Sequence, residues 1–180
     1  MINQLAQEYS NQPVVFVDYH FSMAAPPDFL PPQARWEVIQ ASEAGLGLTW
    51  AVVDSGRLHH RGAETTAEAY NAYTAMINDA LAQPATAEIH SFWWKNGSTV
   101  KISATVTNNS AQTLSTANNA GVYGIVKEVG VQYDTYTTLH PGLNAAKTAI
   151  PSLAPGETAT FEITVPEINP SNWNKVQVIV

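Results

Sequence analysis

Apolar positions in this chain repeat first at helical spacing and then, past Pro84, at every second residue. Leu5, Ala6 and Tyr9 share one helical face, which predicts a short helix over 2–11 ended by Asn11-Gln12-Pro13. The run Val14-Val15-Phe16-Val17-Asp18-Tyr19 is continuous, β-branched and aromatic. Such a run marks a strand buried on both faces, as in a parallel sheet. Pro26-Pro27 and Pro31-Pro32 define a loop, because proline fixes φ and has no N–H. Pro32 is placed to open a helix over 33–44, which Gly45 stops. A second buried run follows over 48–53, then a turn at Asp54-Ser55-Gly56 and a shorter, alternating edge strand over 57–61. Thr65 or Thr66 caps a helix to about Ala82, with Ala69, Ala72, Tyr73, Met76, Ile77 and Ala80 on one face.

After Gln83-Pro84-Ala85 the period becomes two. A strand is expected over 88–94, a tight turn at Asn96-Gly97, and its partner over 99–107. In that partner Val100, Ile102, Ala104 and Val106 face one way and Lys101, Ser103 and Thr105 the other. Further strands are expected over 121–127, 158–165 and 175–180, while 132–149 reads either as strand plus loop or as one long loop. Many short strands without helical period predict an antiparallel sandwich. The expected class is α+β overall: an α/β half over 1–84 and a β-sandwich over 85–180.

The order of elements in the first half, carried by 5–9, 14–19 and 49–57 with Gly62-Ala63 and the last helix, resembles the C-terminal part of the thioredoxin fold. That family keeps a Cys-x-x-Cys motif at the start of the helix that residues 1–10 resemble only in its second half. The motif and the strand before it have no counterpart here. The family also has a cis-proline before the threonine matching Thr49, whereas this chain has Leu48. A cis bond without proline costs about 2.5–4 kcal/mol. Redox activity is therefore not expected. The segments 100–108 and 150–161, with the turn Leu153-Ala154-Pro155-Gly156-Glu157, resemble bacterial immunoglobulin-like domains of surface and adhesion proteins. The two resemblances together imply an extracytoplasmic or secreted address.

Composition narrows the partners. Charged residues make up 13% of the chain and the net charge is −7, so neither nucleic acid nor an anionic membrane surface is an expected partner. No apolar run reaches the ~20 residues of a membrane span. Without cysteine there is no disulfide, thiolate ligand or thiol nucleophile. Met1-Ile2-Asn3-Gln4-Leu5 lacks the basic and apolar regions of a signal peptide, so any such signal is expected upstream.

Few side chains present chemistry. His59 and His60 are adjacent on a strand and point to opposite faces, and His20, His90 and His140 have no ligand spacing. Asp18, Asp28, Glu37 and Glu43 read as solvated carboxylates, and Ser22, Ser55 and Ser91 lack a nucleophile-elbow motif. No metal, cofactor or catalytic residue is expected. Asn96-Gly97-Ser98 and Asn108-Asn109-Ser110 match a glycosylation sequon but read as turns.

Trp93 and Trp94 are the stronger candidates, since period two places one indole in the core and the other outward. The outward ring covers the other half, or, with Tyr133, Tyr136 or Trp173, offers a contact to a glycan or a protein. A second candidate is the gap left by the absent strand. Val15 and Val17 on one run and Trp50 and Val52 on the other would lack their shared neighbour, unless they pair directly, take up the C-terminal strand or accept a strand from another chain. The expected function is non-catalytic, through protein contacts or self-association, as an assembly subunit or accessory module. A carbohydrate-binding module using an exposed Trp and a truncated remnant of a redox protein are the alternatives.

Overall fold

The computed structural model describes residues 1–17, 50–62, 64–132, 138–139 and 141–180. One compact unit closes at Pro84, and the greater part of the other runs from Ala85 to Val180. Among the described residues the chain is mostly antiparallel strand, with two α-helices.

In the first unit α1 covers Ile2–Glu8 and ends at Tyr9, three residues short of Gln12. Residues 10–13 continue as turns, with Gln12 N–H donating to the Tyr9 carbonyl at 3.0 Å. Strand β1 (Trp50–Val53) pairs antiparallel with β2 (Leu58–Arg61) across the expected turn at Asp54–Gly56. Helix α2 spans Thr66–Ala82. Thr65 is its N-cap, extended, with Oγ1 accepting from the Glu68 N–H at 3.1 Å. At the other end Gln83 is extended (φ −77°, ψ 141°), the conformation that the ring of Pro84 favours in the residue before it. Leu5, Tyr9, Ala69, Tyr73 and Ile77 bury one another, flanked by Ala72 and Met76. The Tyr9 hydroxyl donates to Asn78 Oδ1 at 2.8 Å, pinning α1 to α2.

The apolar run after Pro13 departs from expectation. Residues 14–17 form no strand, and Val15 is 53% exposed rather than buried on both faces. β-branched composition does not make a strand without a ladder partner. Among the described residues β1 pairs with β2 alone, so no parallel partner to the run is seen. Asp18, Tyr19, the proline-rich loop, the 33–44 helix and residues 48–49 lie outside the described residues.

The second unit holds β3 (Ala87–Asn96), β4 (Thr99–Asn108), β5 (Leu114–Ser115), β6 (Gly121–Glu128), β7 (Val131–Gln132), β8 (Thr138–Leu139), β9 (Gly142–Ala149), β10 (Ser152–Leu153), β11 (Thr158–Val165) and β12 (Val176–Ile179). Two three-stranded antiparallel sheets, β11-β4-β3 and β12-β6-β9, supply one core; β10-β5 and β7-β8 are short pairs. Val100, Ile102, Ala104 and Val106 of β4, with Ile163 and Val165 of β11, pack with Val122 and Val126 of β6 and with Ile150, Leu153, Ile168 and Val176. Burying each such Val, Leu or Ile side chain contributes about 1.5–3 kcal/mol. The sheets meet so closely at Gly124 that a Cβ there would strike Ile102 Cδ1 and lie 3.2 Å from Ile163 Cγ2.

Two buried polar side chains tie loops to this core. The Glu128 carboxylate accepts from Ser171 N–H (2.8 Å), Ser171 Oγ (2.5 Å) and Asn172 N–H (2.8 Å). Asn108, fully buried, donates from Nδ2 to the carbonyls of Gln112 and Leu153, each at 2.8 Å, and accepts at Oδ1 from Ser110. The Asn108 sequon is thus a turn whose amide is already occupied.

Candidate functional site

Among the described residues, strand β3 carries most of the exposed large apolar side chains. Five large apolar residues stand exposed among the described residues, and four lie on β3: Ile89 (41%), Phe92 (65%), Trp93 (40%) and Trp94 (42%). The strand owes its position to a hairpin. Asn96 pairs with Thr99 across the two-residue turn Gly97-Ser98, and Gly97 takes φ +62°, as the first position of such a turn demands. Ten rungs then run without a bulge back to Ala87 opposite Asn108.

That register sorts the side chains. Ile89, Ser91, Trp93 and Lys95 stand opposite Val106, Ala104, Ile102 and Val100, on the face that carries the core. Glu88, His90, Phe92, Trp94 and Asn96 stand on the outer face with Thr107, Thr105, Ser103, Lys101 and Thr99. Each core-facing residue of β4 is 2% exposed or less, whereas Trp93 and Ile89 beside them are at least twenty times more exposed. The core cover ends between β4 and β3.

The same register sorts the backbone, because antiparallel neighbours alternate between exchanging both hydrogen bonds and exchanging none. The turn-closing pair Asn96 and Thr99 starts the alternation. It continues past Ala87, where Asn109 N–H donates to the Thr86 carbonyl at 3.0 Å, while the Asn108 N–H turns instead to Glu157 at 2.9 Å. Even-numbered residues of β3 therefore bond to β4. Ala87, Ile89, Ser91, Trp93 and Lys95 direct their N–H and C=O away from it, to an edge with no second strand among the described residues.

Neither Trp93 nor Trp94 lies in the core, which corrects the expectation that one of them would. Trp93 points to the core face but stands on an edge strand that the second sheet does not cover. Trp94 stacks on Phe92 on the outer face, ring centroids 5.7 Å apart at 25°. Beside that pair run threonine hydroxyls in contact across strands, Thr105 with Thr160 at 3.0 Å and Thr107 with Thr158 at 2.9 Å, and the Lys101 ammonium donates to Thr164 at 2.8 Å. Trp173, half-buried, receives the Lys95 ammonium 4.2 Å above its ring. It is therefore associated with the Trp93 face of β3 and not with Trp94. Tyr133 and Tyr136 lie outside the described residues, as does the side chain of Trp50; Val52 is on β1, paired with His59 of β2.

Other titratable groups converge weakly. His59 is exposed, while His60 sets its ring edge-on to Tyr73 at 5.9 Å, so the two histidines do diverge. Among the described residues no three His, Asp or Glu side chains group as metal ligands. The Glu8 carboxylate accepts from Tyr70 at 2.5 Å and Gln4 at 2.9 Å, which holds it below the ordinary carboxylate range and raises the Tyr70 phenol. Glu8 is exposed and Tyr70 partly buried, and the shallow hollow beside them is lined by Met1, Gln4, Thr66, Ala67, Tyr70 and Asn71. Among the described residues no helix is long and apolar enough to cross a membrane.

The class these features define is an α-and-β protein, mostly antiparallel sheet, that presents an uncovered apolar edge strand. No family model, no curated protein and no solved structure matches the chain.

Sequence reasoning found the strand and the tryptophans but not the exposure of Ile89 and Phe92. The signal was there: Phe92-Trp93-Trp94 puts consecutive aromatics on both faces, which a half-buried strand of a sandwich does not do.

Proposed function

We propose that the protein is a non-catalytic module that binds another polypeptide by strand addition at β3. One observation carries this: among the described residues, the ten-residue strand whose odd-numbered backbone groups face an edge with no second strand also holds four of the five exposed large apolar side chains. Soluble proteins blunt such edges with short strands, prolines, bulges or inward charges. β3 has none of these except Lys95 at one end, and that cation is drawn to Trp173. Main-chain bonding with pockets for alternate side chains is how strand addition combines affinity with selectivity. The sandwich-like second unit and the sparse charge support an immunoglobulin-like accessory or assembly module outside the cytoplasm, after a thioredoxin-like first unit without redox chemistry.

The second reading is glycan binding on the outer face, favoured by the Phe92–Trp94 stack beside rows of hydroxyls. Titration separates the two. Extended peptides of alternating valine and threonine are expected to shift tryptophan fluorescence, and Trp93→Ser with Ile89→Ser to remove that shift. A shift produced instead by β-linked oligosaccharides and abolished by Trp94→Ala would reverse the order of the readings.

A further inference from the structure

We propose that the strand added at β3 is β3 of a second copy, antiparallel, with Ser91 at the two-fold axis. The inference rests on the strand-addition reading and identifies its partner. A strand pairing with its own copy about an axis normal to the sheet keeps inner faces with inner faces, so the numbers of opposed residues sum to an even value. The outward N–H and C=O belong to odd-numbered residues, so odd must meet odd in the bonded pairs. Two registers then give the longest ladder of nine rungs within Ala87–Asn96: Ser91 opposite itself, or Phe92 opposite itself.

The side chains choose between them. With Ser91 on the axis, Ile89 meets the partner's Trp93 and Trp93 meets the partner's Ile89, so both inner-face apolar residues gain an apolar neighbour. The small serine sits where two like side chains meet. On the outer face Phe92 meets the partner's His90 and Trp94 the partner's Glu88, which extends the Phe92–Trp94 stack toward the Glu88–His90 pair of the other copy, itself closed at 3.0 Å. Lys95 meets Ala87, so no like charges are opposed. With Phe92 on the axis, Ile89 would face Lys95 and Trp93 would face Ser91, leaving the apolar pair apart. The favoured register has five bonded pairs exchanging two bonds each, about ten backbone hydrogen bonds. It joins β11-β4-β3 of each copy into one continuous six-stranded sheet.

Two other edge strands, β12 and β11, fit self-pairing less well. β12 is four residues long. On β11 the Glu162 carbonyl already accepts from Thr148 Oγ1 at 3.0 Å.

The backbone parity supplies a clean test. Ser91 directs its N–H outward, so Ser91→Pro leaves the β3–β4 ladder whole and removes the two bonds at the axis. Sedimentation velocity over a wide concentration range is expected to show a wild-type dimer that dissociates on dilution. S91P is expected to raise the dissociation constant roughly ten-fold or more while keeping the wild-type circular dichroism. Should S91P not fold, the register test decides: I89K and W93E each weaken the dimer, and the two together in one chain restore it, because the new charges oppose each other twice. A wild type that is monomeric at every concentration overturns self-pairing, as does a folded S91P that dimerises like the wild type or a double variant weaker than either single one. A monomer that still binds the valine–threonine peptides keeps the wider docking reading; one that binds neither removes both.

Discussion

Glu128 shows how a single side chain in this protein holds a loop to its core. The residue is 2% exposed, and its carboxylate meets three donors from Ser171 and Asn172. A buried acceptor with its partners is worth a modest net amount, but removing it strands every donor at once. Glu128→Ala is expected to cost about 3 kcal/mol of unfolding free energy, read from urea denaturation. The Glu8–Tyr70 pair acts instead through titration. The Tyr70 and Gln4 donors depress the Glu8 carboxyl, so its contribution is present above the unfolded carboxyl value and is lost as pH falls through the lower folded one. The Tyr70 phenol is raised, so its contribution is present below the unfolded phenol value and lost as pH rises through the higher folded one. In Tyr70→Phe the Glu8 carboxyl should titrate closer to the ordinary carboxylate range, as followed by NMR of its side-chain carbon. At this scale sequence marked Trp93 and Trp94 but misjudged their burial, because alternation assigns a face and says nothing about whether another sheet lies over it.

Elements with strong alternation were legible. β4 and β11 have their apolar residues at every second position against a common core, and β11 occupies the residues expected, 158–165. Helix α2 was equally clear from its cap, its apolar face and the proline beyond it. β9 was not: Gly142-Leu143-Asn144-Ala145-Ala146-Lys147-Thr148-Ala149 has little β-branched or aromatic content, and its pairing with β6 makes it a strand. The reverse error befell 14–17, where composition favours a strand and no ladder is present. Gly124 links the β6 pattern to packing between the sheets. Gly124→Ala introduces a methyl against Ile102 and Ile163, so it should lower stability by about 1–3 kcal/mol and reduce the thermal midpoint in calorimetry.

For the whole molecule, sequence conveyed a change of architecture at Pro84 and a set of antiparallel strands beyond it. It did not convey where the apolar surface would be left open. The gap expected between the runs at 14–19 and 48–53 is not what the described residues offer; β3 in the second unit is, with outward backbone groups at its odd-numbered residues and exposed side chains on the same strand. Strand addition there makes a claim about particular amides. In residue-resolved hydrogen exchange, the N–H groups of Glu88, His90, Phe92 and Trp94 should be protected in the dilute protein, being bonded to β4. Those of Ile89, Ser91, Trp93 and Lys95 should exchange freely when dilute and become protected at high concentration or with an added peptide strand. Outward amides that stay unprotected while tryptophan fluorescence registers a bound partner would contradict the account.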